Sequence, residues 1–198
     1  ACYNVISRVV YRQMLINDRE KERFRLLMRA MEAFSGVDVL DYTILDNHFH
    51  LVLHVPQAGE VSDAEFVDRL SHLYGGNKAS TIVARIDQLR QSGDLARAWA
   101  EKQRYVCRMH DLSEYGKTLK QRFTQSYNRR HGRKGTLWEE RFKSLIVEGP
   151  GHALATVAAY VDLNAVRAGI VGDPKDYRFC GYGEAMGGSM KAREGIVM

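Results

Sequence analysis

Apolar and polar positions alternate from Tyr3 to Val10, in a stretch rich in β-branched residues, which predicts a first strand. The spacing then changes. Phe24, Leu27, Met28 and Met31 recur at helical intervals, which predicts a helix capped by Asp18, running to about Phe34 and stopped by Ser35-Gly36. Val37 to Asp46 reads as a second strand, and Asp46-Asn47 as the tight turn of a hairpin into a third, closed by Pro56-Gln57-Ala58-Gly59. Ser62 to Tyr74 is helical and Gly75-Gly76-Asn77 breaks it; Lys78 to about His110 holds two further helices divided at Ser92-Gly93-Asp94. A helix begins at Asp111 or Ser113 and reaches Arg129-Arg130-His131-Gly132. Gly135 to Glu148 reads as a loop and a strand, Gly149-Pro150-Gly151 as a break, and His152 to about Ala168-Gly169 as one last helix before a frayed Gly-rich tail from Gly187. The order is strand, helix, two strands, several helices, strand, helix. It predicts an α+β fold: a small antiparallel sheet with helices packed on it, one domain over 1–198 with a helical insertion at 59–110.

The third strand, Asn47-His48-Phe49-His50-Leu51-Val52-Leu53-His54, carries histidines on alternate residues. Alternate side chains share a face, so His48 and His50 stand about 7 Å apart by strand rise. Two imidazoles on a rigid strand can hold a divalent metal when a third donor arrives from elsewhere. The 152–168 helix offers one, because Tyr160 and Asn164 are four apart and share a face. Laid over the histidines, the amide completes a His48-His50-Asn164 site and the phenol of Tyr160 stands beside the metal. That arrangement suits attack of a phenolate on a polarised phosphate. The donor set fits Mg²⁺ or Mn²⁺, and Zn²⁺ or Ni²⁺ can bind it as well. His54 lies about 13 Å beyond His50 along the strand, too far to share an ion.

Composition narrows the class. The chain of 198 residues is 45% hydrophobic and 27% charged, with net charge +5. It has neither a long apolar run nor a signal-peptide pattern, although it opens on Ala1 without an initiator Met, as a processed or trimmed chain does. Three widely spaced cysteines, Cys2, Cys107 and Cys180, form no CxxC and fit a reducing cytoplasm. Nine Lys and Arg fall between Lys117 and Lys143 against two acids, Glu139 and Glu140. Such a cluster is either a polyanion-binding surface or a solvated helix face. Its candidates for holding nucleic acid are Lys120, Arg122, Arg129, Arg130, Arg133, Lys134, Arg141 and Lys143. Arg167 joins them near the chemistry, and Tyr127 is a candidate base-stacking ring.

Asn-His-x-His at 47–50, Trp138-x-x-Arg141-Phe142, and Tyr160-x-x-x-Asn164-x-Val166-Arg167-Ala168-Gly169, followed by Asp173-Pro174-Lys175-Asp176-Tyr177, form an ordered set. The set resembles the single-tyrosine HUH transposases, and among them the REP-associated tyrosine transposases of the IS200-like group. The resemblance is weak over 59–110. It implies an HUH-endonuclease, ferredoxin-like sheet, with His48, His50 and Asn164 as metal ligands and Tyr160 as nucleophile. It further implies single-stranded DNA beside imperfect hairpins as substrate, a 5′-phosphotyrosine intermediate, and a bacterial, nucleoid-associated enzyme acting as monomer or homodimer. Two positions depart from the pattern: Asp46 and Ala165 stand where proline is usual, and the second loss removes a helix stop beyond Asn164.

Rival readings remain in view. On the same fold, a non-catalytic hairpin-binding protein would bind DNA but ignore Tyr160→Phe. An HUH replication initiator or relaxase would usually pair the tyrosine with a helix Lys or a second Tyr, and a zinc hydrolase would need a carboxylate base near the histidines. Trp138 is a core plug or a stacking platform, Asn164 a ligand or a helix-end residue, and Asp162, off the Tyr160/Asn164 line, reads as solvated.

Overall fold

Four strands form one antiparallel sheet in the computed structural model, which describes residues 1–148 and 151–197. They are β1 (Cys2–Arg8), β2 (Asp38–Ile44), β3 (His48–His54) and β4 (Lys143–Val147), in the order β2-β3-β1-β4. The helices are α1 (Asp18–Ser35), α2 (Asp63–Tyr74), α3 (Gly76–Gln91), α4 (Leu95–Val106), α5 (Leu112–His131), α6 (Gly151–Asp162), α7 (Asn164–Arg167), α8 (Gly181–Met186) and α9 (Met190–Val197). The break expected at Gly149-Pro150 lies outside the described residues.

The α+β expectation holds, and local chemistry accounts for the boundaries. Asn17, not Asp18, caps α1, its side chain accepting from the N–H of Glu20, and Gly36 ends it at φ 69°. Ser62 and Asp111 cap α2 and α5 in the same way, and Gly132 closes α5. The alternation along β3 sends Phe49, Leu51 and Leu53 to one face of the sheet, where α1 and α5 cover them. Phe24, Phe49, Phe123 and Trp138 form the aromatic centre of this core, with the Phe24 and Phe49 rings 4.8 Å apart. Trp138 is therefore a core residue; its indole N–H donates to the carbonyl of Lys120. Within 59–110 lie the three helices α2, α3 and α4, stacked successively beside α1.

Two expectations near the C-terminus are corrected. The helix foreseen over 152–168 is two pieces, broken at Leu163. The proline missing at position 165 is not needed to stop it, because the amide nitrogen of Asn164 takes the carbonyls of Tyr160 (2.8 Å) and Val161 (3.2 Å). The tail past Gly187 is also ordered. In α9, Ala192 is buried and Gly195 lies against the backbone of β2, so close that a Cβ there would meet the Leu40 carbonyl at 2.5 Å. This segment and the Phe179–Cys180 stretch cover the β2 edge, which would otherwise expose unpaired backbone. No described helix is long and apolar enough to cross a membrane.

Candidate active site

The other face of β3 carries His48, His50, Val52 and His54. Pairing across the sheet puts Thr43, His50, Ile6 and Lys143 in one row on this face, and Arg8 beside His48 in the next. Helix α6 lies over the β2–β3 side of it. Leu154, Val157 and Val161 pack on Leu40, Val52 and Cys2, and the Thr43 hydroxyl donates to the Val161 carbonyl at 2.6 Å. That contact fixes the last turn of α6 at the row of His50. Tyr160, one residue earlier, sets its ring 6.0 Å from the His50 ring, and the His50 and His48 rings are 5.3 Å apart. Three rings from two distant segments thus meet on one surface. The guanidinium of Arg167 stands over the Tyr160 ring at 5.1 Å, and Tyr160 is 44% exposed.

The histidines are prepared as neutral donors. Burial pushes the His50 pKa down to about 4, helped by the charges of His48 and Arg8. His48 is lowered too, by burial and then by Arg8. Asn47 donates from its amide nitrogen to the Arg12 carbonyl at 3.1 Å, so its oxygen is left to accept from His48 Nδ1 at 2.7 Å. The proton of His48 is thereby held on Nδ1, and Nε2 presents a free lone pair. His50 is 5% exposed, and its Nδ1 has no hydrogen-bond partner, an uncompensated buried polar atom that calls for an external one. Asn164 has committed its nitrogen to the helix carbonyls, which leaves Oδ1 as its free donor atom. As donor types, two neutral imidazoles and an amide oxygen suit a divalent cation. Among the described residues no cluster of three or more His, Cys, Asp or Glu side chains could hold a metal.

Neighbouring acids behave differently from expectation. Asp162 is not solvated: half-buried, it accepts from the Tyr182 N–H and faces the buried Asp41. Burial, and then the charge of Asp162, raise the Asp41 pKa well above the usual carboxylate range. His54 is paired with Asp38 at 3.0 Å.

The basic cluster divides. Lys120 is buried, donates to the Glu140 carbonyl at 2.6 Å, and burial lowers its pKa to about 8. Tyr127, expected as a stacking ring for a base, is buried and stacks on His131 at 4.2 Å. Arg122 donates to the Leu73 carbonyl and covers the Tyr74 ring, while Arg130 is bound to Glu20 and Ser126. Lys120 and Tyr127 are thus taken into the core, while Arg122 and Arg130 are engaged by groups of α2, α1 and α5 itself. Arg129 and Lys134 are exposed and Arg133 is partly buried. Arg129 lines a groove of about 590 Å³ between α1 and α5, with Arg23, Arg122 and Arg130, on the side of the sheet opposite the histidines. Arg141 and Lys143 are exposed at the start of β4; Lys143, which pairs with Glu140, and Arg167 share the histidine side. Sequence reasoning missed Arg8, although the alternation of β1 placed it on a face with Ile6 and only the pairing with β3 was lacking.

The family described as "Transposase IS200 like" matches residues 1–106, a stretch that contains both histidines and ends before Tyr160. Over 96% of this chain and 83% of its own, the structure of a REP-associated tyrosine transposase bound to a REP hairpin superposes with a TM-score of 0.53 at 12% identity, a likeness of fold. A proposed transposase of Deinococcus radiodurans R1 gives a TM-score of 0.37 at 15% identity, over 82% of this chain and 88% of that one, too slight to bear on the argument. No curated protein matches the chain.

Proposed function

The chain belongs to the IS200-like transposase family, and from that premise we propose that it nicks and rejoins single-stranded DNA next to a hairpin, with Tyr160 as nucleophile. The observation that carries this reading is the meeting of Tyr160, His50 and His48 on one sheet face, with Arg167 against the tyrosine ring.

In the proposed reaction the Tyr160 oxygen attacks phosphorus as its proton leaves, and the bond from phosphorus to the 3′ oxygen breaks. The 3′ oxygen takes up a proton, which yields a 5′-phosphotyrosine and a free 3′-OH. Attack by a second 3′-OH reverses the step on a new partner, and because the phosphodiester energy is kept in the phosphotyrosine, joining needs no ATP. Arg167 lowers the cost of charge on the phenol oxygen. His48, oriented by Asn47, together with His50 and Asn164 Oδ1, would hold Mg²⁺ or Mn²⁺, whose task there is to polarise the scissile phosphate. Arg8 and Lys143 supply positive charge along the DNA path on this face, Arg141 adds to it just before β4, and Arg129, Arg133 and Lys134 supply it at the end of α5. A hairpin substrate is supported by the complex of the similar fold with a REP hairpin, and a bacterial cytoplasmic setting follows from that substrate.

The test is a denaturing gel of end-labelled hairpin oligonucleotides, from repeats flanking the gene, incubated with Mn²⁺. A protein–DNA adduct should form with the wild type and vanish in Tyr160→Phe, in His50→Ala and on chelation. Hairpin binding with no adduct would replace this reading with a binding-only protein, and an adduct persisting in Tyr160→Phe would move the nucleophile to another tyrosine.

A further inference from the structure

Resting on the reading just proposed, we infer that the exposed turn Val10–Gln13 is a base-stacking platform for unpaired DNA entering the site, with Tyr11 as the stacking ring and Arg12 as its phosphate contact. Four successive side chains here, Tyr11, Arg12, Gln13 and Met14, are exposed between the fully buried Val9 and Ile16. Tyr11 is 88% exposed, more than any other large apolar or aromatic side chain described, and Met14 is 71% exposed. No described ring packs on Tyr11, so its aromatic surface contributes nothing to the fold. An aromatic face beside a guanidinium is the chemistry that binds single strands, because every base offers a π-face and every nucleotide a phosphate.

The backbone adds an independent argument. Tyr11 and Arg12 both adopt φ 54°, the left-handed region that bulky side chains rarely occupy. The surroundings impose it: Val10 N–H donates to the Leu137 carbonyl, Arg12 N–H to Val9, Gln13 N–H to Val10, and Ile16 N–H to Asp46. A fixed, uncommon conformation that pushes an aromatic ring into water points to use of that ring.

Position ties the turn to the chemistry. The Arg12 carbonyl accepts from the Asn47 amide, whose oxygen holds His48. Arg8, at the root of the turn, pairs with His48 across the sheet. The backbone of the turn thus stands two hydrogen bonds from a proposed metal ligand, at the end of β1. A strand laid across His48 and His50 toward Tyr160 would place its adjoining unpaired base within reach of Tyr11.

The experiment compares two fluorescent DNA hairpins by anisotropy in EDTA, one blunt and one with single-stranded extensions of mixed sequence at both ends. Wild type should bind the extended probe more tightly. Tyr11→Ala should lose roughly ten-fold or more on that probe and nothing on the blunt one, while Tyr11→Phe and Tyr11→Trp keep the preference. Tyr11→Gly, which relieves the left-handed backbone and so folds readily, should lose as much as Tyr11→Ala. If wild type prefers the extension and Tyr11→Ala keeps that preference, this inference fails and the proposed function stands. A Tyr11→Ala protein that keeps the preference but changes its sedimentation would make the turn a protein contact instead. No preference in wild type would remove both readings together.

Discussion

Asn47→Ala is the most informative single change, because it breaks two bonds that converge on one proposed ligand. The variant loses the 2.7 Å bond to His48 Nδ1 and the 3.1 Å bond to the Arg12 carbonyl. Each is worth about 0.5–1.5 kcal/mol net, so the unfolding free energy should fall by about 1–2 kcal/mol, with the exposed Arg12 bond at the low end. Metal affinity should fall much further for its size. With no acceptor at Nδ1, the ring is free to rotate and change tautomer, and loss of such an orienting partner typically costs about 10- to 100-fold in affinity. The assay is Mn²⁺ titration followed by electron paramagnetic resonance, with urea melts in parallel. Asn47→Asp separates the two roles. A carboxylate still accepts from Nδ1 but cannot donate to Arg12, so affinity should largely recover at pH 8. At pH 6 it should weaken, because a negative neighbour favours the protonated imidazole. If Asn47→Ala binds Mn²⁺ within two-fold of wild type, on the order of 0.4 kcal/mol, the orientation argument is refuted. Equal losses in both variants would place the effect in the Arg12 anchor and not in the tautomer.

Four further outcomes are expected. Thr43→Val removes the buried 2.6 Å bond to the Val161 carbonyl, which should cost about 1 kcal/mol and speed amide exchange in α6 specifically; unchanged exchange there would mean that apolar packing alone seats the tyrosine helix. The folded His50 pKa of about 4 lies below the ordinary 6.5, so the unfolded chain binds a proton that the folded one refuses. The contribution is therefore fully present above pH 6.5 and is lost as pH falls toward 4, by about 3 kcal/mol; urea melts of wild type against His50→Phe should show this slope only in wild type. Lys120→Met should lower stability by about 1–2 kcal/mol by stripping the Glu140 carbonyl of its donor, yet leave the salt dependence of DNA binding unchanged. Arg129→Gln should keep stability and reduce that salt slope by about one; the reverse assignment would overturn the division of the basic cluster.

Much of the fold was legible along the chain because its signals are local. The caps at Ser62 and Asp111, the left-handed glycines 36 and 132, and the hairpin at Asp46-Asn47 act within a few residues of where they stand. The failures share a different cause. Asn164 breaks the last helix through its own side chain, a choice between ligand, cap and interior that spacing does not reveal. The tail looked frayed from its glycines, yet Gly195 is what lets α9 reach the β2 backbone. Asp162 looked solvated because its partner Asp41 is 121 positions away in the chain.

What the sequence by itself determined is a strand with His48 and His50 on one face, a helix with Tyr160 and Asn164 a turn apart, and a basic stretch between them. Backbone period is a property of each segment alone, so these pairs are set before any folding occurs. Only the tertiary structure decided that the two faces meet, through Val161 on Val52 and Thr43 on the end of α6. It also decided which basic side chains are free, because a cation at the surface, one buried against the Glu140 carbonyl and one paired with Glu20 read identically as letters. Charge and donor chemistry are written in the residue, but burial and partnership are long-range, and they exist only once the sheet has closed its two layers of helix.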